Sequence, residues 1–261
     1  MSKKIRYIIM ALLLAVFCTM GGIILYTQYK YAQEDKVYEQ AAEEFTRRTD
    51  AGAGDTLGEA GEDTAGIPLE VDFGKLREIN SDVIGWIYCE DTVINYPVLQ
   101  GPDNDYYLRR NINRKHQTAG SIFVEATNRP GFVDSNTIIY GHHMKNGSMF
   151  ACLDEWKDQE FYESHPVMWL LTPEQDYQIL LFAGYTTAAT SDTYTTFDAS
   201  CEELEDYLAR CLKLSDFQAD LGPGEESVLD PGARYVVLST CAYNFEDARY
   251  VLHGKLEPVE R

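Results

Sequence analysis

An uncharged apolar run near the N-terminus constrains this 261-residue chain more than any other feature. Ile8–Leu25 holds no charged residue, and residues 7–27 together are long enough to cross a hydrocarbon core of ~30 Å as a helix. The run therefore predicts a transmembrane helix over residues 7–27. A cleaved signal peptide is the alternative, but such a peptide has a shorter apolar run that ends in a small-x-small site.

The charge of the chain is divided at this run. The whole chain carries a formal charge of −20, and residues 1–30 contain basic residues but no acid. By the positive-inside rule, Lys3, Lys4 and Arg6 keep residues 1–6 in the cytoplasm and place the rest of the chain outside. The acidic remainder argues against nucleic-acid binding, because neutralising phosphates requires clustered Lys and Arg.

Two further segments separate the span from the globular part. Residues 28–48 carry apolar side chains at helical spacing among acids, which predicts an amphipathic helix that serves as a spacer or packs on the domain. Residues 49–66 contain five Gly and five acids with no aromatic residue, which predicts a flexible linker. We expect the folded domain to occupy residues 67–261.

The apolar runs of this domain are short and rich in Val, Ile, Tyr and Phe, as in β-strands. About eight strands and few helices favour a mostly β fold, an antiparallel barrel or sandwich, because a parallel α/β sheet needs a helix between nearly every pair of strands. The predicted strands are Val83–Tyr88, Val93–Leu99, Ser121–Val124, Thr137–Tyr140, Val167–Leu171, Tyr177–Tyr185, Tyr235–Leu238 and Tyr250–Leu256. The predicted helices are Phe73–Asn80, Ser148–Trp156 and Cys201–Phe217.

Six cysteines supply the candidate nucleophiles. Cys18 lies in the predicted span, and the five others are an odd number that cannot all pair. Cys241 ends a predicted strand in the motif LSTC, which makes it the candidate reactive thiol, whereas the remaining cysteines are typical of small core residues. A disulfide between Cys201 and Cys211 stays open.

A reactive thiol needs a neighbouring base, usually a histidine. His142 and His143 end a predicted strand in NTIIYGHHM, where a side chain can project into a cleft. His253 shares a strand face with Arg249 and is the runner-up. A metal site built from His142, His143 and Cys241 is an alternative, but adjacent residues on a strand point to opposite faces, and no CxxC or CxH spacing accompanies them.

Taken together, NTIIYGHHM, LSTC and DARYVLHG resemble the motifs of the sortases, membrane-anchored cysteine transpeptidases of Gram-positive bacteria. The segments PVLQGPDNDYYL, GSIF and GHHMKNGSMF are most similar to class B. The resemblance implies an eight-stranded sortase-like β-barrel with a few peripheral helices, preceded by the N-terminal transmembrane helix. It also implies that residues 67–261 form the catalytic domain.

By this resemblance, the catalytic residues are His142, Cys241 and Arg249. Ser239 and Thr240 are expected to line the substrate groove. For Arg249 the alternative is a surface salt bridge with Glu246 or Asp247. No metal or organic cofactor is expected.

The resemblance further implies two substrates. One is a secreted protein with a C-terminal sorting signal, LPxTG-like or NPxTx-like, which is cleaved after Thr through a thioacyl-enzyme. The other is an amino group of a peptidoglycan precursor or cross-bridge. The expected location is the cell membrane, with one span and an extracellular catalytic domain. The alternatives are a catalytically inactive surface binding or scaffold protein with the same fold, and a sortase of another class that acts in pilus assembly.

Overall fold

The structure is a computed structural model that describes residues 3–49, 66–197, 201–220, 230, 232–241 and 247–260; at residues 201, 202 and 241 it describes the backbone. Four α-helices lie within these ranges: α1 (Lys3–Phe45), α2 (Phe73–Ile79), α3 (Gln159–Ser164) and α4 (Cys201–Leu214). The strands are β1 (Thr46–Arg48), β2 (Leu69–Val71), β3 (Val83–Tyr88), β4 (Asn95–Leu99), β5 (Ile122–Val124), β6 (Asn136–Tyr140), β7 (Val167–Leu171), β8 (Asp176–Ala188), β9 (Arg234–Cys241) and β10 (Ala248–Val259).

Strands β3 to β10 close into an eight-stranded barrel, which confirms the predicted fold class. The order around the barrel is β10-β8-β7-β3-β4-β5-β6-β9, with β9 and β10 adjacent. Most pairs are antiparallel, as expected, but β4 pairs with β5 and β6 pairs with β9 in parallel. The parallel pairs have a consequence for the site, because they bring the C-terminal ends of β6 and β9 to the same rim of the barrel.

Apolar side chains fill the barrel and cover its outside under α4. Val236, Leu238, Tyr250 and Leu252 belong to the interior cluster and are fully buried. Outside, Leu204, Tyr207, Leu208 and Cys211 of α4 pack on the outer face of β8, β9 and β10. Burying one such large apolar side chain stabilises the fold by roughly 1.5–3 kcal/mol. The cover of α4 therefore fixes one wall beside the barrel rim.

Helix α1 is long and apolar enough over its N-terminal half to span a membrane, and none of that apolar stretch is buried against the protein. The same helix continues without a break to Phe45, so the predicted span and the predicted amphipathic helix form one element. Its C-terminal half packs on the barrel through Glu34, Tyr38, Ala41 and Phe45.

A short pair of strands outside the barrel brings together the two ends of the predicted linker. β1, which follows α1, pairs antiparallel with β2, so the two ends of the predicted linker lie side by side. Residues 50–65 of that linker lie outside the described residues. The packed body therefore begins within α1 and not only at residue 67, and a helix connects it to the apolar span.

The structure changes one predicted helix and answers the disulfide question that the sequence leaves open. The segment predicted as a helix over Ser148–Trp156 forms a 3₁₀-helix over Ala151–Lys157, beginning where Ala151 N–H donates to the Ser148 carbonyl. Cys211 is a free thiol, 3.4 Å from the Tyr185 hydroxyl. Cys201 lies ten residues earlier on α4, about 15 Å along the helix axis, which is too far for a disulfide.

His253, the runner-up base, is a core residue. It shares a strand face with Arg249, as predicted, but α4 covers that face, and its ring stacks on Tyr185 and borders Phe182 and Tyr207. Burial, with a contribution from the positive charge of Arg210, lowers the pKa of His253 to about 3. Four strand residues, about 13 Å, separate it from Arg249.

This burial predicts a pH-dependent stability. Because the folded chain binds fewer protons at His253 than the unfolded chain, stability is lost as the pH falls below about 6.5, the unfolded pKa. The loss between pH 6.5 and 4.5 should be roughly 2–3 kcal/mol. Urea unfolding of the parent, His253→Leu and the exposed control His116→Leu checks this. The His253→Leu variant should show the shallower pH dependence, and equal slopes in parent and His253→Leu would contradict the assignment.

Candidate active site

Gly141 connects the end of β6 to His142 and occupies a tightly packed position. A Cβ atom at Gly141 would lie 2.6 Å from Ile122 Cδ1 and from Phe150 Cγ and Cδ2, closer than real Cβ contacts. Only glycine therefore fits where the strand end passes these two core side chains. The next residue leaves the barrel interior, and His142 lines a cleft at the rim.

A hydrogen bond identifies which nitrogen of the His142 ring carries a proton. Nε2 lies 2.7 Å from the carbonyl oxygen of Leu108. Since a carbonyl can only accept, Nε2 carries the proton and donates, which leaves Nδ1 of the neutral ring as an acceptor. Burial lowers the pKa of His142, and nearby Arg109 acts in the same direction, while the bond to Leu108 opposes the shift. The neutral imidazole is thus favoured in the resting protein.

The parallel register of β6 and β9 brings Cys241 beside His142. The last paired residues are Tyr140 and Ser239, and Gly141 N–H donates to the Ser239 carbonyl at 3.0 Å. Two residues further along each strand, the same register reaches His142 and Cys241. Neighbouring strands lie about 4.8 Å apart, so the two backbones end close together.

On its other side, β9 pairs with β10, and Arg249 is the direct register partner of Cys241. Nη1 of Arg249 donates to the Ala248 carbonyl at 3.0 Å. Among the described residues, Arg249 makes no ion pair with Asp247; Glu246, the other partner of the alternative salt bridge, lies outside the described residues. The backbone order across three adjacent strands is therefore His142, Cys241, Arg249.

A cleft of about 310 Å³ lies over this row. His142, Ser239, Thr240 and Arg249 line it, so four of the five predicted site residues share one cavity. The Cys241 side chain lies outside the described part of the structure. Its position in the row rests on the backbone register alone.

Aromatic residues that the sequence analysis did not single out form one wall of the cleft. Tyr140 and Tyr194 stack with ring centroids 6.2 Å apart, and the Tyr194 hydroxyl lies 2.8 Å from Ser239 Oγ. The Tyr140 hydroxyl donates to Glu125 at 2.9 Å. Tyr140 directly precedes the Gly141-His142 pair, and this position in the sequence could have indicated that it lines the cleft. Tyr194 comes from a 3₁₀ turn with no recognisable motif.

The other strand-end histidine does not reach the cleft. His143 Nε2 lies 3.0 Å from Asp154 Oδ2, and Asp154 also pairs with Lys157 at 2.7 Å. His143 thus points toward the 3₁₀-helix and away from His142. Among the described residues, no group of three or more His, Cys, Asp or Glu side chains is arranged to hold a metal ion.

Comparison with known proteins identifies relatives over most of the chain. Residues 87–257 match the family model of the sortase domain. Sortase B of Listeria monocytogenes is 39% identical over 186 residues, covering 69% of this chain and 72% of the relative. Sortase B of Staphylococcus aureus is 30% identical over 260 residues, covering 98% of both chains. The solved S. aureus sortase B–substrate complex is 31% identical, with a TM-score of 0.66 over 72% of this chain and 85% of that one.

The geometry predicts a ranking of the two adjacent histidines. If His142 is the base that the sequence motifs predict, His142→Ala should lower kcat for a sorting-signal peptide at least about a hundredfold, because acid–base catalysis contributes roughly 10²–10⁴. His143→Ala removes a ring of the same kind one residue away, outside the cleft, and should cost far less. Steady-state cleavage of an NPxTx-like peptide measures both. A larger loss in His143→Ala would mean that the other ring is the base.

Proposed function

The chain belongs to the sortase family and is a cysteine transpeptidase, and we propose that His142, Cys241 and Arg249 form its active site. The single observation that supports this most is the strand register. It aligns the backbones of His142, Cys241 and Arg249 on adjacent strands at one barrel rim, beside a cleft that His142 and Arg249 line. None of the comparisons favours an inactive binding or scaffold protein.

In the first half-reaction, neutral His142 accepts the proton of the Cys241 thiol at Nδ1, and the sulfur attacks the carbonyl carbon of the Thr in the sorting signal. When the tetrahedral intermediate collapses, the C–N bond breaks and the imidazolium gives its proton to the departing amine. The products are a thioacyl-enzyme and the released C-terminal peptide. The lowered pKa of His142 fits this order, because the base is neutral before the attack.

In the second half-reaction an incoming amine attacks the thioester carbonyl and loses its proton to His142 Nδ1. The C–S bond breaks, and the imidazolium returns the proton to the sulfur of Cys241. Two easier acyl transfers thereby replace one difficult amide exchange. Proton and electron pairs balance without a cofactor.

Arg249 is proposed to stabilise the oxyanion of both tetrahedral intermediates. Its guanidinium keeps its charge at any working pH and presents donors in a planar fork. Arg249 is the register partner of Cys241, so the backbones of these two residues lie side by side on adjacent strands. Ser239 and Thr240, which line the cleft, are proposed to contact the bound peptide.

We infer that the first substrate is a secreted protein with a C-terminal sorting signal, LPxTG-like or NPxTx-like, of which the class B resemblance favours the second. The second is an amine of peptidoglycan or of its precursor. The S. aureus relative is described as a complex with substrate, which supports a peptide-binding cleft in this fold. The aromatic wall of Tyr140 and Tyr194 offers an apolar surface to such a peptide.

The membrane arrangement is part of the proposal. Residues 1–6 lie in the cytoplasm, residues 7–27 span the membrane, and the catalytic domain is outside, as the basic residues before the span indicate. Residues 28–45, the second part of α1, then lie outside the membrane and lead into β1. This places the cleft in the layer where secreted proteins and lipid-linked precursors meet.

A peptide panel tests the proposed substrates. The full chain in detergent should cleave an NPxTx-like peptide after Thr, and with added triglycine it should yield the corresponding amide-linked product. An LPxTG-like peptide and a scrambled peptide serve as comparisons, with products identified by mass spectrometry. If neither sorting-signal peptide is cleaved, or if cleavage in excess triglycine gives only the peptide with a free C-terminal carboxylate, the proposed transfer is wrong.

A second prediction concerns Arg249. If the planar fork holds the oxyanion, Lys should replace Arg249 poorly although the charge is kept, with a loss on the order of 3–4 kcal/mol in the acylation step. A residue in an exposed ion pair would contribute only roughly 0–1 kcal/mol. Single-turnover acylation rates of Arg249→Lys and Arg249→Ala decide between the two. Near-parent rates in both variants would remove Arg249 from the active site.

A further inference from the structure

The C-terminal half of α1 touches both chain segments that border His142. Its buried residues Glu34, Tyr38, Ala41 and Phe45 follow helical spacing and lie on one face toward the barrel. One segment, residues 107–121, carries the Leu108 carbonyl that accepts from His142. The other, residues 143–150, follows His142 in the chain.

Glu34 and Tyr38 bind the first segment through its backbone. The Glu34 carboxylate accepts the N–H groups of Thr118 and Ala119, each at 3.1 Å. The Tyr38 hydroxyl donates to the carbonyl of Gly120 and lies 3.1 Å from Ser121 Oγ. Glu34 and Tyr38 are 8% and 3% exposed, so these polar bonds are made in a buried interface, where they are costly to leave unmade.

Gly120 in turn lies directly against the Leu108 carbonyl, and Ser121 binds the residues on either side of it. A Cβ at Gly120 would approach the Leu108 oxygen to 2.4 Å, and Gly120 has a φ of +59°, so the two backbones are in close contact. Ser121 N–H donates to the Tyr107 carbonyl at 3.0 Å, and Ser121 Oγ donates to the Arg110 carbonyl at 2.7 Å. The backbone on both sides of Leu108 is thereby fixed by residues that α1 holds.

The second segment is bound from the same helix. Asn146 Nδ2 donates to Asp35 Oδ2 at 2.7 Å. Phe150 N–H, at the end of this segment, donates to the His142 carbonyl at 3.0 Å. Helix α1 therefore also contacts the segment that follows His142 in the chain.

We propose that Glu34 and Tyr38 of the membrane helix are positioning residues for the reaction, because they hold the Leu108 carbonyl that fixes the His142 tautomer. This rests on the proposed role of His142 as the base. While the Leu108 carbonyl accepts from the His142 ring, the proton stays on Nε2. Nδ1 is then unprotonated and can accept the thiol proton. If Leu108 moves, both tautomers become populated, and a part of the enzyme presents a protonated Nδ1 that cannot accept the thiol proton.

The test compares matched substitutions on one helix, in the full chain in detergent. Tyr38→Phe removes the hydroxyl but keeps the ring that packs against Tyr96. The control Tyr29→Phe makes the same change at a residue that is 63% exposed. Glu34→Gln, with the exposed control Glu43→Gln, repeats the comparison for the carboxylate. The readouts are kcat, KM, the melting temperature and the ¹⁵N shifts of the His142 ring.

Tyr38→Phe and Glu34→Gln should lower kcat on the order of tenfold with KM within about twofold. Their His142 ¹⁵N shifts should move from a single Nε2–H form toward a mixture, and both controls should match the parent. Parent kcat in both folded variants would overturn the inference. So would a lower kcat with unchanged ¹⁵N shifts, since that pattern reports general destabilisation.

The failure of this inference is distinguishable from the failure of the proposed function. His142→Ala is measured in the same assay. Parent activity in His142→Ala would overturn the role of His142 itself and the positioning role with it. An inactive His142→Ala beside a fully active Tyr38→Phe and Glu34→Gln would overturn the positioning role alone.

Discussion

The pairing of β9 with one parallel and one antiparallel neighbour decides where every proposed reacting group lies. β6 runs parallel to β9, so both strands end at the same rim, and β10 returns antiparallel from that rim. A shift of one residue in either ladder would turn the side chains to the opposite face. The buried interior positions Ile139, Leu238 and Leu252 make such a shift costly. The hydrophobic core thus sets the alignment of His142, Cys241 and Arg249.

The electrostatics at the rim follow from the same packing. His142 is half-buried between Leu108 and the core, and this burial favours the neutral ring, while the Leu108 carbonyl selects its tautomer. A neutral, oriented imidazole has the properties of a general base, which is the role proposed for His142. Arg249, the proposed source of charge for oxyanion stabilisation, lies on the opposite side of β9.

Much of this arrangement could be predicted from local patterns. Short apolar runs rich in Val, Ile, Tyr and Phe located the barrel strands, and the motifs around His142, Cys241 and Arg249 located the candidate site. Strand alternation correctly put His253 on the face of Arg249, but it could not show that α4 covers that position. The parallel pairs and the closure of the barrel depend on residues about a hundred positions apart, such as Tyr140 and Ser239, which no local pattern relates. The Leu108 carbonyl was missed because a backbone acceptor carries no residue-type signal, and the unbroken α1 because its hydropathy changes while its helix propensity does not.

The most direct test of the account is the identity of the acylated residue. The full chain is mixed with a sorting-signal peptide, and no amine acceptor is added. The reaction is quenched in acid within one turnover, and the digested protein is mapped by mass spectrometry. The strand register predicts one thioacyl adduct, on Cys241, and its absence in Cys241→Ala. An adduct on Cys89, Cys152 or Cys211, or an unmodified Cys241 during active cleavage, would contradict it.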